Sequence, residues 1–481
     1  MPASRTYACL ALLWASACDR DPAPSPAPDV LPDVPALVQS EAEPTPADAP
    51  PPSEDPASPA PPSTTKQEPQ PRAPEPVPTL ELRKAQRATM LYDAADFSAA
   101  FRGKIARGET FHVLEFVEGD PECKAGWARV GVAAYVCLGR STVVDGPEPF
   151  PLPRIGGNGL TPFRYAKRRK GENAAPLWRS RAALRRGDAP VGELAADHDY
   201  AFVRRRWANG ERVLEDDTRR VVKEADVRRF KPSAFEGRDL LNDPLPTEGT
   251  LAWVVAWPKA SKLSTPHPDA KTSGALAFQT TVVVDDASVR KRGTVFYPLH
   301  DGSGWVEARA IRRFIPAAPP KGIADTALWV DVEVTQQTLV LMRGTTPIFT
   351  TVISSGTGKN PTPLGLYRME SKLALTDMRS RAGDDDAYHV EAVPWAMYFD
   401  GRFALHGAYW HNRFGNRVSH GCINLAPKDA KRVFDALDPV LPNGWINVYE
   451  HADAPGSMVR VRKGDKAPPD RRRAPRRRNA Q

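Results

Sequence analysis

The sequence predicts a mainly β protein whose folded part follows a disordered N-terminal tether. Three observations support this fold class. The 50 prolines are concentrated near the N-terminus, short strand-like runs separated by turn residues fill 80–320, and alternating apolar residues begin another β domain near 325. A chain of 481 residues is expected to form two to four domains.

Residues 1–18 are predicted to form a signal peptide. Arg5 provides a positive charge, and the run Thr6–Ala17 is apolar, ends in small residues and is too short to span a bilayer. The sequence "ASAC", ending at Cys18, resembles a bacterial lipobox, which implies acylation of that cysteine and a lipid anchor in the membrane. Cleavage after Ala17 by an ordinary signal peptidase is the alternative. Both readings predict export to the periplasm or cell envelope.

Residues 19–79 are predicted to be a disordered linker rich in proline and alanine. The stretch 21–79 contains 20 prolines, ten acidic residues and only two basic ones, Lys66 and Arg72. Such a composition cannot bury enough apolar surface to offset its ordering entropy, and its net negative charge favours extension.

Residues 80–147 are predicted to form a small β module. The runs "GKIARGETFHVLEFV" and "GWARVGVAAYVCL" resemble strands of a bacterial SH3-like barrel. Cys123 and Cys137 lie fourteen residues apart in this region and could form a disulfide in an oxidising compartment.

One or two further β modules are predicted within 148–320. The pattern Arg-Arg-Phe-x-Pro occurs at 228–232 and again at 312–316, which indicates diverged copies of a similar unit. Two roles remain open for these modules: they either space the last domain from its anchor or bind a cell-wall polymer.

The last domain is predicted to span 325–450. Leu328, Val330, Val332 and Val334 alternate as in a half-buried strand, and "QTLVLM" and "PIFTTVISS" predict two more strands separated by the turn sequence "RGTTP". A helix is predicted over 427–437 because proline suits its first turn and apolar residues recur on one stripe. The run 445–450 predicts a closing strand.

The C-terminal residues 451–481 are predicted to be a basic disordered tail. Residues 460–481 contain ten Lys or Arg and two Asp, so their charge of +8 equals that of the whole chain. Such a tail is expected to contact anionic envelope polymers, and a nucleic-acid partner is not predicted.

The stretch "HGAYWHNRFGNRVSHGCIN", residues 406–424, contains the strongest chemical signal in the sequence. Cys422 has no predicted disulfide partner, and a working thiol needs a nearby base such as His406. Gly421 lets backbone amides approach a substrate carbonyl, so the amides of residues 421 and 422 are candidate oxyanion donors.

Two other readings of this stretch remain open on the residues alone. Zinc accepts both histidine and cysteine, so His406, His411, His420 and Cys422 could be its ligands. The same residues could also be ordinary members of a folded core.

The stretch also resembles a known family. A histidine followed, after about fifteen residues, by Ser/Thr-His-Gly-Cys is similar to the signature of the YkuD-type L,D-transpeptidases. The runs "SSGTGKNPTPLGLYRM" (354–369) and "VPWAMYFDGRFALHG" (393–407) look like the hairpin and the strand that accompany this signature. The resemblance covers 325–450, about a quarter of the chain, and implies a β-sandwich with a short helix.

The resemblance implies a cysteine acyltransferase with a nucleophile and a base. Cys422 would be the nucleophile and His406 the base that forms an ion pair with it. The carbonyl of Gly407 would accept a hydrogen bond from the other ring nitrogen and so fix the tautomer. Tyr398 and Trp410 are expected either to line the substrate groove or simply to pack in the sheet.

The neighbouring residues are assigned supporting roles by the same resemblance. His420 would shape the pocket or be a hydrogen-bonded structural residue, and Ser419 could support the loop. Asn424 stands where many members of the family have arginine, so a charge-based role is not expected there. His411 has no counterpart in the family and is expected to be exposed.

The implied reaction transfers an acyl group in peptidoglycan, without a metal or other cofactor. The thiol would attack the third residue of a tetrapeptide stem, release terminal D-alanine and pass the acyl group to an amine of a second stem, which forms a 3-3 cross-link. Water as acceptor would make a carboxypeptidase, and a protein amine would make a ligase. A wall-binding lipoprotein without catalytic activity is the alternative from another class.

Overall fold

The structure is a computed structural model, and it describes residues 80–171, 174–380 and 387–464. The predicted signal peptide, the lipidation site Cys18 and the linker 19–79 lie outside the described residues, as does the tail from 465. In the described ranges the chain forms 35 strands and two α-helices, so the prediction of a mainly β protein is confirmed. No helix in these ranges is both long and apolar enough to cross a membrane.

The first β region contains the strands β1 (Glu81–Ala85), β2 (Thr89–Tyr92), β3 (Phe101–Ile105), β4 (Thr110–Val113), β5 (Glu115–Val117), β6 (Trp127–Gly131), β7 (Ala134–Cys137) and β8 (Ser141–Val143). A disulfide joins Cys123 to Cys137 in this region. The bridge connects the end of β7 to the loop before β6 and lies in a different region from the histidine–cysteine stretch.

The second β region contains β9 (Arg164–Arg168), β10 (Pro176–Trp178), α1 (Arg181–Arg186), β11 (Gly192–Glu193), β12 (His198–Phe202), β13 (Arg204–Ala208), β14 (Glu211–Glu215), β15 (Val221–Lys223) and β16 (Val227–Arg229). The third contains β17 (Arg238–Asp239), β18 (Thr250–Val254), β19 (Lys259–Leu263), β20 (Thr272–Ala277), β21 (Thr281–Val284), β22 (Val289–Lys291), β23 (Thr294–Pro298), β24 (Trp305–Glu307) and β25 (Ile311–Arg313).

The three upstream regions end in the same local pattern. In each, a strand leads into one turn of 3₁₀ helix and then into another short strand, the turns being Leu138–Arg140, Glu224–Asp226 and Ala308–Ala310. The two arginines of the Arg-Arg-Phe-x-Pro repeat end the last strand of this pattern in the second and third regions, and the phenylalanine and proline follow the strand. The SH3-like character of the modules stays a prediction.

The C-terminal region contains β26 (Leu328–Glu333), β27 (Thr338–Arg343), β28 (Thr346–Val352), β29 (Gly365–Arg368), β30 (Ser371–Arg379), β31 (His389–Asp400), β32 (Phe403–Gly407), β33 (Ile423–Leu425), α2 (Pro427–Ala436), β34 (Trp445–Tyr449) and β35 (Met458–Arg462). The predicted helix is therefore present, with Pro427 in its first turn. Its buried stripe of Ala430, Val433 and Phe434 joins the main core.

Strands from the upstream regions extend the sheets of the C-terminal region. β3 pairs with β34, β12 pairs with β31, and β17 pairs with β28. The core lies between the sheet β17-β28-β27-β26-β35-β29 and strands β31 to β33, with α2 packed against it. The C-terminal region is thus continuous with its neighbours through backbone hydrogen bonds.

The predicted half-buried strand at Leu328–Glu333 is wrong on one point, because β26 is buried on both faces. Val330 and Val332 face the core, but Trp329 and Asp331 on the other face are equally inaccessible. The alternation of residue types suggested a solvent-facing side. The structure covers that side with Arg460 and Arg462, which both pair with Asp331.

The predicted domain end at 450 is also wrong. β35 begins at Met458 and runs between β26 and β29, parallel to the first and antiparallel to the second. The segment 451–464 is therefore part of the fold rather than of a disordered tail. Basic composition misled the prediction, because two of the counted arginines are buried ion-pair partners.

Candidate active site

His406 and Cys422 are brought together by two neighbouring parallel strands. β32 pairs with β33 so that Leu405 lies opposite Ile423 and His406 lies opposite Asn424. Leu405 and Ile423 point into the core. Because side chains alternate along a strand, His406, Asn424 and Cys422, two residues before Asn424, occupy the other face.

Cys422 is a free cysteine of intermediate exposure, and its thiol lies beside the β31–β32 hairpin. Its sulfur donates a long hydrogen bond to the carbonyl of Arg402, at 3.7 Å. Burial raises the pKa of the thiol, whereas a backbone hydrogen bond from Ala404 and the charge of Arg402 oppose this shift. At neutral pH the free thiol is therefore mostly protonated.

The His406 imidazole is buried, with only 2% of its surface exposed. Its Nδ1 lies 3.4 Å from the carbonyl of Gly407, the partner that the sequence analysis assigned to it. Trp410 packs beside the ring, with 5.6 Å between ring centroids. Burial lowers the pKa of His406 to about 4, so the imidazole is neutral near pH 7.

The resting thiol and imidazole are therefore both uncharged, in contrast to the ion pair that the sequence analysis expected. Among the hydrogen bonds of the described residues, the one made by Sγ goes to Arg402 and not to the ring of His406. The physical reason is desolvation, which disfavours the charged form of both groups. Hydrogen bonds of catalytic pairs are often loose without substrate and shorten in the complex.

Ser419 stabilises the loop that contains Cys422 through two hydrogen bonds. Its hydroxyl donates to the carbonyl of Cys422 at 2.5 Å and accepts from the amide of Gly421 at 3.1 Å. The Gly421 amide is therefore already occupied. Of the two predicted oxyanion donors, the amide of Cys422 is left as the candidate.

Gly421 is required by both its backbone conformation and its surroundings. Its φ of +118° lies in a region that favours glycine, and a Cβ there would meet the Phe403 ring at 2.5 Å. The ring of Phe403 thus packs directly against the residue that precedes the nucleophile.

The segment after β28, residues 353–364, is a loop and not the expected hairpin, because β28 and β29 do not pair with each other. This loop holds the Cys422 loop through contacts that the sequence analysis did not predict individually. Thr362 Oγ1 donates to the carbonyl of Gly421 at 2.8 Å and accepts from the amide of Gly356 at 2.9 Å. Ser355 accepts through its carbonyl from the amides of Val418 and Ser419. The motif "SSGTGKNPTPLG" thus supports the loop that contains Gly421 and Cys422.

The buried Asn424 and the half-buried His411 form a polar pair next to His406. The Asn424 amide contacts His411 Nε2 at 2.9 Å, and His411 Nδ1 accepts from the amide of Arg413 at 3.2 Å. The expectation that His411 is exposed is wrong. Burial first, then the charges of Arg413 and His406, lower the pKa of His411 to about 3.

His420 and Tyr398 lie on other sides of the thiol. His420 is exposed and stacks on Tyr388, with 5.0 Å between ring centroids. Tyr398 is opposite Ala404 in the hairpin, so its ring faces the same side of the sheet as Cys422.

The candidate zinc ligands are not gathered at one point. Throughout 80–171, 174–380 and 387–464, no group of three or more His, Cys, Asp or Glu side chains is arranged to hold a metal ion. His406 is buried, whereas His420 is exposed.

A comparison with family models assigns this region. Residues 327–461 match the model of the YkuD family, described as the L,D-transpeptidase catalytic domain. The chain carries a YkuD-type catalytic domain. The match ends at 461, within β35, in agreement with the structure and beyond the boundary that the sequence analysis drew.

Curated proteins are similar to part of the chain. YciB of Bacillus subtilis (strain 168) is 29% identical over 124 residues, which cover 23% of this chain and 61% of YciB. L,D-transpeptidase 1 of Mycobacterium tuberculosis (strain ATCC 25618 / H37Rv) is 27% identical over 193 residues, which cover 34% of this chain and 74% of that protein. The first of these alignments thus spans less than two thirds of the relative.

Solved structures of L,D-transpeptidases are also similar to the chain. A mutant enzyme from Enterococcus faecium is 23% identical with a TM-score of 0.23, and the match covers 29% of this chain and 50% of that one. L,D-transpeptidase 3 from Mycobacterium tuberculosis, in complex with a faropenem-derived adduct, is 19% identical with a TM-score of 0.24. The match covers 44% of this chain and 98% of that one. With TM-scores this low, the assignment of the YkuD-type domain rests on the family model.

Proposed function

We propose that the protein is a peptidoglycan L,D-transpeptidase in which Cys422 is the nucleophile and His406 the general base. The observation that supports this most directly is the placement of the Cys422 thiol and a neutral, buried imidazole on one face of β32 and β33. A neutral imidazole can accept the thiol proton, and the YkuD-type domain supplies the reaction class.

The first half-reaction forms a thioester. His406 takes the proton of the Cys422 thiol while Sγ attacks the carbonyl carbon of the third residue in a tetrapeptide stem. The amide of Cys422 is placed to donate to the developing oxyanion. When the tetrahedral intermediate collapses, the C–N bond breaks, the imidazolium returns its proton to the leaving nitrogen, and D-alanine departs.

The second half-reaction releases the acyl group to an amine of another stem. The amine attacks the thioester carbonyl, His406 accepts a proton from the amine nitrogen, and the C–S bond breaks. The sulfur leaves as a thiolate and recovers the proton from the imidazolium. The product is a 3-3 cross-link, and the residues return to their neutral resting state without any cofactor.

The identity of the acyl acceptor is tested by measuring the masses of the reaction products. The full chain is incubated with disaccharide tetrapeptides from peptidoglycan, and the products are analysed by mass spectrometry. A cross-linked dimer minus one D-alanine supports the transpeptidase. Tripeptide alone identifies a carboxypeptidase, transfer to an added envelope protein identifies a ligase, and absence of any acyl-enzyme favours a wall-binding lipoprotein.

We also propose that the protein works in the cell envelope. The predicted signal peptide and Cys18 support export and a lipid anchor, which metabolic labelling with a fatty acid would test against Cys18→Ser. The β modules are proposed to space the domain from this anchor or to bind wall polymer.

The tail 465–481 is proposed to contact anionic envelope polymers. Deleting 465–481, which leaves β35 intact, should weaken retention on isolated walls at low salt. Unchanged retention would remove this role.

A further inference from the structure

Arg402 is an exposed cation placed beside the nucleophile by the turn between β31 and β32. Its carbonyl accepts the hydrogen bond from the Cys422 thiol at 3.7 Å. Its guanidinium lies over the ring of Phe403, 5.1 Å from the ring centroid. The side chain itself is exposed to solvent.

The ring under the guanidinium is fixed relative to the nucleophile. Phe403 packs so closely on Gly421 that a Cβ on the glycine would lie 2.5 Å from the ring. Gly421 is in turn held by Ser419 and Thr362. A cation stacked on this ring is therefore restrained near the thiol instead of sampling the whole surface.

The charge of Arg402 is not neutralised within the described part of the chain. No carboxylate of residues 80–171, 174–380 or 387–464 forms an ion pair with it, and its guanidinium has no hydrogen-bond acceptor there. Arg460 and Arg462, in contrast, are saturated by Asp331 and by backbone carbonyls. Arg402 thus offers its donors to a molecule arriving from solvent at the thiol.

We infer that Arg402 binds a carboxylate of the acyl-donor peptide and so selects donors that end in a free carboxylate. This inference rests on the proposed function. The terminal carboxylate of the departing D-amino acid is three bonds from the attacked carbonyl carbon. A guanidinium binds a carboxylate through two parallel hydrogen bonds, which orients as well as attracts it. The same chemistry would also recognise a carboxylate on the side chain of the third residue.

The test compares four synthetic tetrapeptide donors with the full chain and its variants. The donors carry lysine or diaminopimelate as third residue, and each ends in either a free carboxylate or an amide. Arg402→Gln removes the charge and Arg402→Lys keeps it without the planar fork. Arg343→Gln, at the exposed end of β27, is the control for loss of a positive charge elsewhere in the domain.

The measured quantity is the ratio of kcat/KM for the acid donor to that for the amide donor. Taking this ratio within one variant cancels any effect of Arg402 on the thiol itself. We expect the natural protein and Arg343→Gln to prefer the acid about 10- to 100-fold, in line with a charge-assisted hydrogen bond. Arg402→Gln should reduce the ratio to about one, and Arg402→Lys should give an intermediate value.

Each other outcome is informative. If Arg402→Gln loses turnover only with diaminopimelate donors and keeps the acid-to-amide ratio, selection of the terminal carboxylate is overturned and the carboxylate recognised is that of the third residue. Equal losses with all four donors would overturn the inference and leave the proposed function intact. No turnover of any donor by the natural protein, with Cys422 still open to alkylation, would overturn the proposed function and this inference with it.

Discussion

His406 lies directly opposite Asn424 in the parallel pairing of β32 and β33, and this pairing puts the Cys422 thiol on the same face as the imidazole. The strands thus fix the two reacting groups by backbone hydrogen bonds, but burial keeps both uncharged. In the proposed reaction, the proton therefore moves from Cys422 to His406 when substrate binds, and the two groups are not an ion pair beforehand.

The first prediction concerns the reactivity of Cys422 in the free protein. Because its pKa is raised and His406 is neutral, alkylation by iodoacetamide should be slow at pH 7 and accelerate only as the pH rises towards alkaline values. His406→Gln should leave this profile nearly unchanged. The same variant should lower kcat by about 10²- to 10⁴-fold, because the general base is lost.

An ion pair in the resting state would give the opposite alkylation result. The thiol would then react rapidly near pH 6, and His406→Gln would slow it at that pH. Cys422→Ala is the control for labelling elsewhere in the chain, since a stoichiometric label on that variant would show that another group is being measured.

The second prediction concerns stability in acid. The folded pKa of His406 is about 4, below its unfolded value near 6.5, so the unfolded chain binds the proton more readily. Above pH 6.5 this residue therefore does not lower the free energy of unfolding. As the pH falls from about 6.5 towards about 4, the free energy of unfolding decreases, because the unfolded chain takes up the proton first. The loss at pH 4 is about 3 kcal/mol.

His406→Gln should remove this part of the acid sensitivity. The free energy of unfolding, measured with urea at pH 7 and pH 4, should fall less in this variant than in the natural protein. His420→Gln is the matched control because that histidine is exposed. Identical falls in all three proteins would contradict the burial of an uncharged His406.

The third prediction concerns the support of the nucleophile loop by Thr362. Thr362→Val preserves shape but removes one hydrogen bond to Gly421 and one from Gly356, and it leaves two buried backbone groups unsatisfied. We expect a loss of about 1–3 kcal/mol in stability, together with a lower kcat.

The control for this variant is Thr346→Val, an exposed position at the start of β28. Its stability and turnover should match those of the natural protein in thermal unfolding and peptide assays. A Thr362→Val protein that matches the natural one in both measurements would show that the 353–364 loop does not hold the Cys422 loop.

The local elements of the catalytic domain could be predicted from the sequence because their signals are local. Pro427 and the apolar stripe after it predict α2, and the alternating runs predict β26 to β28. The histidine and cysteine could be paired because a loop of turn residues separates two strands.

The remaining features depend on contacts between distant residues. The charge state of His406 and Cys422 follows from burial, which no short motif encodes. The partner of His411 is an amide thirteen residues away, and the burial of Asp331 depends on Arg460 and Arg462, more than a hundred residues further on. A basic composition near the C-terminus therefore indicated a tail where the structure has a central strand.

The fourth prediction concerns β35 and distinguishes a domain that ends at residue 450 from one that includes β35. A chain ending at Glu450 lacks β35, which lies between β26 and β29, and leaves the charge of Asp331 buried without Arg460 and Arg462. An unpaired buried charge alone costs about 3–5 kcal/mol, and the valines of β26 lose their neighbours in the core as well. We expect this chain to show no cooperative thermal transition by circular dichroism and no turnover.

A chain ending at Gly464 should unfold at the same temperature as the full chain, because it keeps the strand and both arginines. Equal melting temperatures for the two truncated chains would mean that β35 contributes nothing to the domain.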